Sequence, residues 1–108
     1  MATKKNNQKP SVMHRQGDIL FVKFESLPNA PLTERKSAII VEGEVTGHAH
    51  KLVEGRILET AQGLLFLAIA SATQVVHEEH HAINLEPGYY QVIRQREYTP
   101  DAIRLVVD

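Results

Sequence analysis

Apolar residues along the chain come in short runs, separated at close intervals by Gly, Pro, Asn and Asp. This spacing predicts strands and turns and gives no convincing amphipathic helix. Gln16-Gly17-Asp18 reads as a turn into a first strand over 19–24, which is apolar except for Lys23. Residues 26–37 hold two prolines, Asn29 and the charged group Thr33-Glu34-Arg35-Lys36, and read as a long loop. A short apolar strand follows over 38–41. Gly43 and Gly47 bracket Glu44-Val45-Thr46, which suggests a bend or bulge before His48. Glu54-Gly55, between Leu52-Val53 and Arg56-Ile57-Leu58, reads as a two-residue hairpin turn. Ala61-Gln62-Gly63 is the next turn. Residues 64–70 are the most hydrophobic segment and predict a central strand buried on both faces. Residues 73–76 are another strand, and Glu86-Pro87-Gly88 is a turn.

Residues 89–97 alternate. Tyr90, Val92, Arg94 and Arg96 share one face, and Tyr89, Gln91, Ile93 and Gln95 share the other. After a turn at Tyr98-Thr99-Pro100-Asp101, residues 102–107 close the chain as a strand. The predicted fold is all-β: a small single-domain antiparallel β-barrel or sandwich of seven to eight short strands.

Composition narrows the chemistry. A chain of 108 residues with 43% apolar and 23% charged residues suits one globular domain. The absence of cysteine removes disulfides, thiolate metal sites and a cysteine nucleophile. No apolar run reaches the length of a membrane span, and the lysine-bearing start lacks the apolar core of a secretory signal. A cytoplasmic protein with no membrane partner is therefore expected. Net charge is −1, unevenly placed: residues 1–15 carry four bases and no acid, and the rest carries 8 bases and 13 acids. Residues 1–12 are expected to be a disordered basic leader, with the β domain over 13–108.

Five of the six histidines fall into two groups, His48 and His50, and His77, His80 and His81. In a strand, positions two apart share a face, so His48 and His50 point the same way. Glu54 shares that face if the strand runs so far. Two imidazoles and a carboxylate on one face suit a divalent metal: zinc, manganese, iron, nickel or copper. His-x-His equally describes two surface histidines on a polar strand face. The turn reading of Glu54-Gly55 weakens Glu54 as a ligand. In His77-Glu78-Glu79-His80-His81 the periodicity fits a strand, one helical turn that gathers the three histidines, or an exposed charged loop.

Gly43, His48-Ala49-His50, Glu54 and Gly63, followed by His80 and Asn84, resemble the two motifs of cupins, small β-barrels that hold a metal inside. The first motif is one residue short before the histidines and two residues long before Gly63. The second lacks its Pro-x-Gly, where Val75-Val76-His77 stands. The resemblance implies His48, His50, Glu54 and His80 as metal ligands, with His77 and His81 as alternates. It does not imply one activity, since cupins include enzymes, storage proteins and sensors. The words from Gly43 to His50 and from Arg94 to Tyr98 also resemble those of small uncharacterised bacterial and phage proteins.

Three functions follow as expectations. The first is a metal-binding β-barrel with a histidine-cluster site, with or without catalysis. The second is a non-catalytic structural or interaction module of a larger assembly, such as a phage assembly. The third is an RNA- or DNA-binding or cleaving protein using the histidines and the face of Arg94, Arg96 and Tyr98. The acidic body argues against broad nucleic-acid affinity. A small-molecule ligand or a second copy of the chain is a compatible partner.

Overall fold

The computed structural model describes residues 13–43 and 47–94. The leader over 1–12, the closing strand over 102–107, and Arg96 and Tyr98 lie outside these residues. Ten strands run through the described chain: β1 (Met13–Gln16), β2 (Ile19–Phe24), β3 (Thr33–Glu34), β4 (Ile39–Glu42), β5 (Ala49–Leu52), β6 (Arg56–Glu59), β7 (Leu65–Ile69), β8 (Thr73–Val76), β9 (Ile83–Leu85) and β10 (Gly88–Arg94). No helix occurs among them, and none is long and apolar enough to cross a membrane.

The all-β reading holds, with ten strands where seven or eight were expected. The strands form two antiparallel sheets, not a closed barrel. One has the order β1-β2-β10-β7-β6-β3, and the other β4-β5-β8-β9. The core lies between them. Ile19, Phe21, Ile57, Leu67, Ile69 and Tyr90 come from the first sheet, and Ile40, Leu52, Val75 and Leu85 from the second. β7 lies inside its sheet, as its hydrophobicity predicts, and Leu67 is fully buried. The segment is not buried on both faces, since Leu65 and Ala68 are half-buried and Leu64 is exposed. β10 enters between β2 and β7, pairing Arg94 with Ile19 on one side and Tyr90 with Leu67 on the other.

The long loop contains β3, which pairs with the edge of β6. Arg35 then ties the loop to both sheets. Its Nε donates to Glu59 Oε1 (3.3 Å) in β6, and a guanidinium nitrogen donates to the carbonyls of Ile39 (3.0 Å) and Ile40 (3.3 Å) in β4.

Glu54-Gly55 is not a hairpin turn. β5 pairs with β4 and β8, whereas β6 pairs with β7 and β3, so this turn carries the chain from one sheet to the other. The Val53 N–H donates to the Gln74 carbonyl (2.9 Å), and the Glu54 N–H donates to Thr73 Oγ1 (2.9 Å). Both bonds hold the crossing against β8. Gly55 has φ +132°, and a Cβ there would stand 2.7 Å from Ile69 Cδ1 and 3.1 Å from Leu52 Cδ2. Gly55→Ala is therefore expected to destabilise the fold by about 1–3 kcal/mol, from backbone strain and overpacking. A urea midpoint equal to the parent's would show that the crossing tolerates a side chain.

Candidate functional site

One end of the space between the sheets changes from apolar to polar, and the change follows the strand rows. On β5, Leu52 and His50 share the inward face, and His48 lies two residues further along. On β8, Thr73 and Val75 point inward, and His77 follows just past the strand end. On β10, Tyr90 sits in the core, Val92 packs against it, and Arg94 extends the same row. A period of two thus turns three apolar rows into two histidine rows and an arginine. They meet at a cavity of about 140 Å³ whose lining also includes His80, Asp18, Glu42 and Glu79.

Four imidazoles are contiguous there. The ring centroids of His50 and His77 are 4.4 Å apart, those of His77 and His80 4.6 Å, and those of His48 and His77 5.8 Å. His77 is the hub. The segment His77–His81 is neither strand nor helix; it is a bend after β8 that turns two of its histidines into the cavity. Gly17 makes room for one of them. It sits in the two-residue turn between β1 and β2 at φ +63°, and a Cβ would stand 2.7 Å from His80 Nε2.

His50 is 5% exposed, and a buried polar network orients it. Gln16, also buried, donates from Nε2 to the carbonyls of Val75 (3.0 Å) and His81 (2.9 Å). Both amide hydrogens are then committed, so Gln16 Oε1 is the atom facing His50 Nδ1 at 2.8 Å. An oxygen acceptor requires the proton on Nδ1. The Nε2 of His50 keeps its lone pair on the opposite edge of the ring, the arrangement in which metal-binding histidines are held. Burial, then the neighbouring His77, push the His50 pKa down from 6.5 to about 4, so the ring is neutral at pH 7.

The carboxylates divide between two sides of His77. Glu79 Oε2 lies 3.4 Å from His48 Nδ1, and the Glu79 N–H donates to His77 Nδ1 (3.0 Å). Glu78 accepts the Ala49 N–H (2.9 Å). That bond and the Glu78 N–H hold its carboxyl below the usual range, so it is ionised at neutral pH. One nitrogen from each of His48 and His77 and one oxygen from Glu78 all lie within 4.8 Å of one another. This is the metal-sized group among the described residues. Taking a metal through His77 Nδ1 would release the Glu79 N–H.

The expected ligands are only partly brought together. His48, His50, His77 and His80 line the cavity. Glu54 does not: β5 ends at Leu52, the period of two stops there, and Glu54 lines a separate groove with Gly55 and Arg35. His81 is exposed, and its carbonyl serves Gln16. Arg94, expected on a nucleic-acid face, lines the histidine cavity instead. Gln16, Asp18 and Glu78 were not legible as site residues. The first two look like turn residues, and Glu78 could be separated from Glu79 only by the course of the bend.

A family model described as Domain of unknown function (DUF8820) matches residues 15–95. No curated protein and no solved structure matches the chain.

Proposed function

We propose that this chain, which belongs to the DUF8820 family, is a divalent-metal-binding β domain. Its ion is held by His48, His77 and Glu78, with His50 and His80 as the adjoining imidazoles. The observation that carries this reading is the convergence of two nitrogens and an ionised carboxylate within 4.8 Å, beside a neutral imidazole fixed in one tautomer. Shortening those separations by about 1–1.5 Å would give tetrahedral contacts at metal–ligand bonds of about 2.0–2.1 Å. Imidazole-rich sets select zinc, nickel, copper, iron or manganese over magnesium and calcium, which prefer all-oxygen ligands. Three protein ligands leave a coordination position for water or a substrate, as in catalytic rather than structural zinc sites.

The test is calorimetric titration of the metal-free full chain with Zn²⁺, Ni²⁺, Cu²⁺, Mn²⁺ and Fe²⁺. His77→Ala, which removes the hub, is expected to weaken binding by about 100-fold or more, beyond the 10–100-fold typical of outer partners. Glu54→Ala and His81→Ala are expected to bind as the parent does. Equal affinity in His77→Ala and the parent would sink the assignment. So would failure of every metal to bind.

A further inference from the structure

We propose that the cavity takes a small oxyanion, a phosphate or a carboxylate, with one oxygen on the bound metal and the others held by Arg94. This rests on the metal reading above and names the class of molecule that fills the open coordination position.

Arg94 carries the argument. It is half-buried at the end of β10, where its backbone pairs with Ile19, the residue after Asp18. It lines the same cavity as His48, His50, His77 and His80. Its side chain makes no hydrogen bond or ion pair among the described residues. Arg35 and Arg56, by contrast, pair with Glu59 and Glu34. A guanidinium is a rigid planar fork whose donors match two oxygens of a carboxylate or phosphate. With no side-chain partner among the described residues, and in a cavity that His48 and His77 of the metal-sized group also line, Arg94 has the chemistry to receive such an anion.

Size and charge restrict the occupant. A volume of about 140 Å³ is close to the roughly 150 Å³ of an engineered cavity that takes one benzene, enough for a small anion. The lining holds three carboxylates, Asp18, Glu42 and Glu79, against the single cation Arg94. Without a metal, this surface repels anions. A divalent ion bound with Glu78 offsets most of this negative charge and supplies an attachment point, so anion binding should follow metal binding.

The experiment uses the full chain loaded with Co²⁺, whose visible spectrum reports its ligands, titrated separately with inorganic phosphate and with acetate. One or both anions should change the spectrum of the loaded protein. Calorimetry should show binding at least about tenfold weaker to the metal-free chain. Arg94→Ala should keep its Co²⁺ and lose anion affinity by about tenfold or more, as expected for loss of a charge-assisted pair, and Arg94→Lys should recover part of it. A response to phosphate alone or to acetate alone identifies which oxyanion the site takes. If Arg94→Ala binds both anions as the parent does, or if neither anion affects Co²⁺-loaded protein, the oxyanion assignment is overturned and the metal site stands. If the chain takes up no Co²⁺, both fall.

Discussion

Gln16→Leu is expected to lower stability by about 2–5 kcal/mol, although Gln16 sits at a turn and resembles a surface residue in the sequence. The side chain is 2% exposed and makes three hydrogen bonds, to the Val75 carbonyl, the His81 carbonyl and His50 Nδ1. Leucine keeps much of the shape and removes every polar atom. Two carbonyls and a ring N–H then lose their partners in a place water reaches poorly, at about 1–3 kcal/mol for each group left unsatisfied. Partial relaxation, and the exposed side of His81, bring the total below the simple sum. A urea titration at pH 7 reads the effect as a lower midpoint with unchanged slope. Gln16→Glu separates the roles, since it keeps an acceptor for His50 and loses both donors to the carbonyls. Nitrogen NMR of His50 should show the Nδ1 proton retained in Gln16→Glu and redistributed in Gln16→Leu. A leucine variant within about 0.5 kcal/mol of the parent would mean that the network contributes as little as an ordinary surface contact.

Acid should weaken the metal-free fold through His50. In the unfolded chain this imidazole takes a proton near its ordinary 6.5, whereas in the folded protein burial and His77 delay it to about 4. The folded state thus favours the neutral ring. The stability this represents is present in full above 6.5 and is lost progressively as pH falls towards 4. A separation of that size corresponds to roughly 3 kcal/mol. Carboxylates also titrate near the lower end, so the informative quantity is the difference from His50→Asn, which has no imidazole to protonate. Urea midpoints of chelator-treated protein at pH 7, 5.5 and 4.5 should converge as pH falls. Parallel curves would show that His50 protonates in the folded chain as easily as in the unfolded one.

The strands were readable where local pattern decides them. β2, β7 and β8 are apolar or β-branched runs bounded by turn residues, and the boundaries read from the sequence for β2 and β8 are those observed. The Glu54-Gly55 turn shows where that reading stops. Its two residues specify a tight reversal but not which sheet receives the next strand; the crossing is held by Thr73 and Gln74, which lie about twenty residues later and accept the Glu54 and Val53 N–H groups. The same limit governed the site. His48 and His50 were legible as a pair because a period of two is local. Glu54 was misplaced because the strand ends at Leu52, before the period reaches it. Arg94 was put on the correct face of β10, with Tyr90 and Val92. Only the packing of the sheets shows that this face is the interior and that its far end opens onto the histidines. Gln16 had no signal, since its role is set by carbonyls 59 and 65 residues away.

The position of β10 bears on how the protein is made. β2 is among the first described strands to leave the ribosome and β10 is the last, yet β10 is the strand that joins β2 to β7. Until residue 94 has emerged, β2 and β7 each present an open edge to solvent or to another nascent chain. Loop closure over that span is slow compared with a local hairpin. Translation therefore delivers the histidines, which belong to the other sheet, before the strand that joins β2 to β7 and brings Arg94 to the cavity. During that interval the imidazoles meet a metal without Arg94 and without the joined sheet that faces them across the cavity.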